Sequence, residues 1–184
     1  MATSSSKGPT RNYTIKPDIL AIGSNVNSTI PGGNYETFSG TSMSTPMVAG
    51  ACALLLQLHP DWTPADIKSA LVNTADNLDM DMMAQGAGVI NLHKAAQVST
   101  TILPSILNFG AIDEFNDIWQ THQNFYIKNH SSEVKEYELE LINMNHGIEI
   151  YTDTNTIFIN PYDSLNIPIY LDVDLQILDP PSND

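Results

Sequence analysis

A chain with a single cysteine, Cys52, forms no internal disulfide, so its stability has to come from packing and hydrogen bonding. Cys52 sits in an apolar run, where a small buried thiol is expected rather than a reactive one. Positive charge is scarce: seven basic residues stand against 21 acidic ones, for a net charge of −14. That balance argues against nucleic acid, whose phosphates such a surface repels. Long hydrophobic runs are also missing. The longest, Ala51 to Leu56, is bounded by Gly50 and Gln57, so no membrane span is expected. No basic-then-apolar leader opens the 184 residues, and no signal peptide is expected in them. Metal-ligand spacing is absent too. Asp76, Asp79 and Asp81 lack the glycine and terminal glutamate of a calcium loop and read as a solvated loop. Gly86-Ala87-Gly88 is followed by no phosphate-loop pattern.

What is present centres on Phe38-Ser39-Gly40-Thr41-Ser42-Met43-Ser44-Thr45-Pro46-Met47-Val48-Ala49-Gly50 and the apolar run to Leu58. A small-residue turn leads into a helix expected over Met47–Leu58, with Pro46 in its first turn, where no amide donor is needed. Apart from Gln57 that helix is apolar on every face, which suits a helix running through a core. Ser42 then lies beside unpaired N–H groups at the positive end of a helix dipole. A hydroxyl there can attack a carbonyl, and the oxyanion formed meets donors already aimed at it. The plainer reading is that Ser42, Ser44 and Thr45 cap the helix.

Around this stretch the chain falls into two textures. Ile15–Ile22 reads as a short buried strand, and Asn25–Tyr35 as a loop containing the turn Pro31-Gly32-Gly33. Pro60 stops the first helix. Thr63 as N-cap, Pro64 at N1 and Asp66 at N3 start a second, whose inward residues are Ile67, Ala70, Leu71 and Thr74. Asp76–Gln85 reads as loop. Val89 and Ile90 read as a short strand, Asn91 as a cap and Leu92–Val98 as a last helix. From Leu103 the helical period disappears. Phe125–Lys128, Tyr137–Leu141, Ile148–Tyr151, Ile157–Ile159 and Leu165–Val173 read as strands of an antiparallel sandwich, the last an edge or bulged strand because it contains Pro168. Asn12, Asn27 and Asn129 head three glycosylation sequons.

Gly-Thr-Ser-Met-Ser-Thr-Pro-Met-Val-Ala-Gly closely resembles the active-site serine signature of the subtilisin-like serine proteases, with Ser42 matching the nucleophile. Three further ordered segments agree. Ser5-Ser6-Lys7-Gly8-Pro9 is similar to a family Ser-Ser-Arg-Gly-Pro segment, and Lys16-Pro17-Asp18-Ile19-Leu20-Ala21 to Lys-Pro-Asp-Ile/Val-x-Ala-Pro-Gly, with Ile22 in place of the family proline. Gly86-x-Gly88-x-Ile90-Asn91 is similar to the segment that closes the catalytic domain. The His59-Pro60-x-Trp62-Thr63-Pro64 helix start resembles the family too. The resemblance covers about residues 2–98.

It implies an α/β fold over residues 1–99, the C-terminal portion of a subtilisin-like parallel-sheet catalytic domain. Residues 100–178 resemble the all-β antiparallel sandwich of a fibronectin type III-like domain, anchored by Pro104–Gly110, and 179–184 read as a tail or linker. The implied reaction is peptide-bond hydrolysis through an acyl-enzyme on Ser42, with the Ser42 backbone N–H as oxyanion donor. The implied substrate is a protein or peptide. Tyr35, Gly40, Thr41 and Met43 are expected beside the cleft. By family the protein is extracellular or cell-surface, and its full-length form is open to calcium.

Subtilisin-type chain order is Asp, His, Ser. Upstream of Ser42 there is no histidine and one aspartate, Asp18, which belongs to another segment; the family's oxyanion Asn is also missing. His59, His93, His122, His130 and His146 all follow Ser42 and read as structural or surface residues. The chain is therefore expected to be inactive alone, with a loosely packed, aggregation-prone N-terminal half. The catalytic Asp and His belong to a missing N-terminal catalytic portion, possible as a partner in trans. The alternative from another class is a non-catalytic binding or scaffold protein that uses its β-sandwich.

Overall fold

The computed structural model describes residues 2–112, 117–142 and 146–177. The tail expected at 179–184 lies outside them. The chain divides into two compact units, Met1–Val98 and Ser99–Asp184.

The first unit contains a hairpin, β1 (Val26–Ile30) and β2 (Asn34–Phe38), and four helices, α1 (Thr41–Leu58), α2 (Pro64–Asn73), α3 (Met82–Gln85) and α4 (Leu92–Gln97). The hairpin corrects the loop expected at Asn25–Tyr35. Pro31-Gly32-Gly33 is its turn, with positive φ at both glycines, and it closes an antiparallel ladder from Val26↔Phe38 to Ile30↔Asn34. No apolar alternation announced it, because neither face of the hairpin is buried. The strand expected at Ile15–Ile22 is reduced to one parallel bridge, Leu20↔Val89. Leu20 donates its N–H to the Gly88 carbonyl at 2.7 Å and accepts from the Ile90 N–H at 2.9 Å. With the Ala87 N–H donated to the Asp18 carbonyl at 2.9 Å, the segment is bonded to residues 87–90 by three backbone bonds, too few to extend the bridge into a ladder. The expected Asp76–Gln85 loop contains the single turn α3, which Asp81 starts by accepting from the Met83 N–H at 2.9 Å.

Helix α1 begins at Thr41, six residues earlier than its apolar run suggested, so Pro46 lies inside the helix. Proline has no N–H to return to the carbonyl four residues back, and that carbonyl is Ser42's. At 18 residues α1 is long and apolar enough, by length and composition, to cross a membrane, which the core helix of a soluble fold also satisfies.

Packing gathers on one side of α1. Ala51 and Leu55 form a cluster with Trp62, with Ile67, Ala70 and Leu71 of α2, and with Ala95 of α4. The expectation of a helix buried all round is corrected: Met47, Leu54, Leu56 and Leu58 are exposed. Helix α2 starts as its sequence indicates. Thr63 accepts from the Asp66 N–H at 3.2 Å, and Asp66 accepts from the Thr63 N–H at 2.9 Å and from the Thr63 hydroxyl at 2.7 Å. Such a reciprocal box satisfies donors the helix itself cannot pair. Asn91 caps α4 with one bond, accepting from the Lys94 N–H at 3.0 Å.

Among the described residues of the second unit every strand pairing is antiparallel. One sheet is ordered β3 (Thr100–Leu103), β4 (Ile118–Asn129), β8 (Ser164–Asp174), β6 (Ile148–Tyr151); a second pairs β5 (Lys135–Glu138) with β7 (Thr156–Ile159). Ile127 and Ile167 from the larger sheet meet Ile157 and Ile159 from the smaller in one cluster. Strand β8 is interior, not the edge strand that Pro168 suggested. Its partner β6 reaches only as far as Tyr151↔Tyr170, so on that side no ladder bond falls to Pro168. The Pro168 carbonyl instead accepts from the Thr152 hydroxyl at 2.9 Å. Proline tolerates such a position because the missing donor has no partner to lose.

Asn129 ends β4 fully buried. Its amide donates to the carbonyls of Glu133 (2.7 Å), Ile159 (3.1 Å) and Asn160 (3.1 Å), and its oxygen accepts from the Ser131 N–H and hydroxyl at 2.9 and 2.7 Å. One side chain thus ties the end of β4, the following turn and the end of β7 together.

Candidate active site

Ser42 occupies the second position of α1, after N-cap Gly40 and Thr41. None of the neighbouring hydroxyls caps this helix. Ser44 donates to the Ala21 carbonyl at 3.1 Å, Thr45 donates back to the Thr41 carbonyl at 3.0 Å, and α1 has no side-chain cap bond. The plainer reading of the cluster as a cap is therefore corrected. The Ser42 side chain is exposed and has no hydrogen-bond partner among the described residues.

The backbone around it is fixed. Gly40 donates its N–H to the Gly23 carbonyl at 2.7 Å, and Met43 donates to the Gly40 carbonyl at 3.0 Å. Met43 is thereby spent, while the Thr41 and Ser42 N–H groups stand in the first turn, where a helix provides no acceptor for them. The site thus combines an exposed hydroxyl with an adjacent N–H donor at the positive end of an 18-residue helix.

Gly23 holds the turn in register, a role the sequence did not single out. A Cβ there would overlap the Ser44 hydroxyl and approach the Gly40 carbonyl to 2.7 Å. The signal available was the glycine after Ala21-Ile22, with a small hydroxyl residue two positions past Ser42.

The other residues expected at the cleft are placed as follows. Gly40 and Thr41 line an open groove of about 750 Å³ between residues 16–24 and α1, together with Ser44, Val48 and Cys52; Ser42 and Met43 are not in its lining. Tyr35 lies on β2 and is 69% exposed. Asp18 sits at one wall of the groove in an ion pair with Lys16 and a second with Lys68 at 3.0 Å. Burial works against its charge, but the hydrogen bonds from the two lysines outweigh it and hold the carboxyl below its ordinary value. This aspartate is engaged structurally.

No histidine is brought to Ser42 within the first unit. His59 caps the far end of α1, about 25 Å away at the helical rise, and stacks on Trp62 with ring centroids 3.8 Å apart. His93 is exposed on α4, whose Leu92 and Ala96 face Leu54, Leu55 and Leu58 in the far half of α1. In the second unit the Thr101 hydroxyl and His130 Nε2 are 2.8 Å apart, and His122 lies on β4. Asp76 is taken up by Lys94 at 2.6 Å and Asn91 at 2.9 Å, whose hydrogen bonds hold its carboxyl below the usual range. Among the described residues no three His, Cys, Asp or Glu side chains converge as a metal site.

Residues 1–89 match the subtilase family. The chain is 37% identical over 153 residues to the minor extracellular protease Vpr of Bacillus subtilis, a match covering 76% of the chain and 19% of Vpr. It is 48% identical over 80 residues to a subtilisin of Bacillus pumilus, covering 44% of the chain and 29% of that protein. It is 51% identical over 82 residues to the subtilisin-like protease SBT3.16 of Arabidopsis thaliana, covering 43% and 11%. The chain thus spans less than a third of the length of these relatives. The Vpr match covers more of the chain than the first unit alone supplies, so it runs into the second.

Proposed function

We infer, from a first unit that carries subtilase sequence over residues 1–89, that this chain is the C-terminal part of a subtilisin-like serine endopeptidase. Ser42 is its nucleophile. The observation that carries the reading is an exposed, unpartnered Ser42 hydroxyl in the first turn of a rigidly anchored helix, inside the matched stretch.

The chemistry follows from that placement. A serine hydroxyl attacks a peptide carbonyl only when a base takes its proton. The carbonyl oxygen then becomes an oxyanion, which the Ser42 N–H and the helix dipole stabilise. Collapse of the adduct expels the amine and leaves an acyl group on Ser42 Oγ, which water removes. The base and its orienting carboxylate are read as coming from polypeptide outside these 184 residues, since no histidine precedes Ser42 in the chain and neither histidine of the first unit reaches it. The partly covered α1 and the one-sided Leu20 bridge suit a fold that this other portion completes. Tyr35, Gly40, Thr41 and Met43 flank the substrate path, and the substrate is a protein or peptide.

The second unit, with its two antiparallel sheets around a shared isoleucine core, is read as a fibronectin type III-like sandwich that follows the catalytic portion. The relative named an extracellular protease supports an extracellular or cell-surface location. The test is complementation. Co-expressed with the N-terminal portion of a subtilase catalytic domain, the chain forms a complex that hydrolyses a peptide substrate, and Ser42→Ala abolishes turnover. A complex that forms and leaves Ser42→Ala as active as the parent overturns the assignment.

A further inference from the structure

Charge is divided unevenly between the two units. Fourteen of the 21 acidic residues fall in residues 99–184, with only Lys128 and Lys135 to balance them. Part of this excess is organised on the outer face of the larger sheet, the side away from the Ile127 and Ile167 core. Register places two rows side by side across β4, β8 and β6. One reads His122–Tyr170–Tyr151 and the next Gln120–Asp172–Glu149. Residues two apart on a strand share a face, so the rows form one surface.

Its side chains hold one another in place. The Tyr151 and Tyr170 rings stack with centroids 5.1 Å apart, and His122 tilts against Tyr170 at 6.1 Å. The Tyr170 hydroxyl donates to Asp153 at 3.3 Å, the Tyr151 hydroxyl to Asp172 at 3.5 Å, and the Gln120 amide to Asp172 at 2.8 Å.

We propose that this tyrosine–carboxylate face is a docking surface for a basic polypeptide segment, with an Arg or Lys side chain set against the Tyr151–Tyr170 pair and flanked by Asp172, Glu149 and Asp153. Ring faces attract cations, and Arg most often fills this role because its planar guanidinium also reaches carboxylates in pairs. A neutral ligand would meet the same rings without the Coulombic attraction that Asp172, Glu149 and Asp153 offer a cation. A nucleic acid or an anionic glycan would be repelled. Both phenols are pushed above their ordinary value, Tyr151 by burial and then Asp172, Tyr170 by Asp153 and then burial, which keeps them neutral. The surface lies wholly within the second unit and does not depend on the protease reading.

Fluorescence anisotropy of a dye-labelled Arg–Gly repeat peptide against the full chain tests it. Binding weakens with added salt. Tyr151→Leu/Tyr170→Leu together weaken it roughly tenfold, the summed loss of two ring–cation contacts. Tyr151→Phe/Tyr170→Phe retains most of the affinity, which separates ring loss from unfolding. Asp172→Asn/Glu149→Gln also weakens binding, whereas Glu136→Gln/Glu138→Gln on β5, an equal change of charge, leaves it unaltered. The proposal is overturned if the Tyr→Leu pair binds as the parent does. It is also overturned if the β5 variant loses as much affinity as the β8–β6 variant, or if a neutral glucan oligosaccharide binds and the Arg peptide does not.

Discussion

The Ser44 hydroxyl is bonded to the Ala21 carbonyl at 3.1 Å, and this bond with Gly40 N–H to Gly23 C=O clamps the Ser42 turn onto residues 21–23. The clamp leaves no room for a side chain at residue 23. Gly23→Ala is expected to destabilise the first unit by about 1–3 kcal/mol, as overpacking does. Ser44→Ala should cost about 1 kcal/mol, the net value of one hydrogen bond. In the complemented enzyme Gly23→Ala also lowers kcat, because Ser42 Oγ moves. Urea unfolding followed at Trp62, with Trp119→Phe to silence the second unit, measures the first effect. Unaltered stability and turnover in Gly23→Ala would contradict the clamp.

Asn129 is the corresponding fixed point of the second unit. Asn129→Ala leaves three carbonyls and the Ser131 donors without it, and a loss of about 3 kcal/mol or more is expected from several unmade bonds. Asn129→Asp should be worse, since it sets a carboxylate against carbonyl oxygens. Denaturant unfolding followed at Trp119 checks both.

The same burial separates the three sequons. Asn12 and Asn27 are exposed, Asn27 on β1, whereas the Asn129 amide is fully engaged. Secreted from a glycosylating host as folded protein, the chain is expected to carry glycan at Asn12 and Asn27 but not at Asn129. Mass spectrometry of the tryptic glycopeptides gives the answer, and stoichiometric glycan on Asn129 in folded protein would refute the buried position.

Acid should loosen the first unit through Asp18. Its carboxyl lies below the ordinary 3.8, so the stability it contributes is complete above that value and is lost as pH falls through its folded-state value. Urea midpoints measured from pH 5 to pH 2 are expected to fall at the acid end. Asp18→Asn should flatten that part of the slope, and Lys68→Met should reduce it.

The partly covered helix gives a prediction about association. Leu54, Leu56 and Leu58 are 55%, 43% and 54% exposed. The chain alone is expected to bind an apolar dye and to self-associate, and Leu54→Lys/Leu58→Glu should reduce both without altering secondary structure by circular dichroism. A monomeric, dye-silent parent would contradict this.

Residues that act through local chemistry were legible in the sequence. The Thr63–Asp66 box and the Asn91 cap follow from side chains a few positions apart. Features that depend on distant chain were not. The extent of α1 and the burial of its faces depend on what covers it, which composition does not state. The β1–β2 hairpin escaped notice because it buries neither face, and β8 looked like an edge strand because Pro168 finds its gap only where β6 ends. Gly23 was not singled out because its constraint is set by Ser44, 21 residues away.

The central claim is that Ser42 is a nucleophile whose base lies outside this chain. A fluorophosphonate probe reads it directly, since the probe reacts only with an activated serine. The chain alone is expected to remain unlabelled, and complementation by a subtilase N-terminal catalytic portion to produce labelling that maps to Ser42 and disappears in Ser42→Ala. Labelling of the lone chain at the rate of an intact protease, or a stable complex in which Ser42 stays unlabelled, would contradict the account.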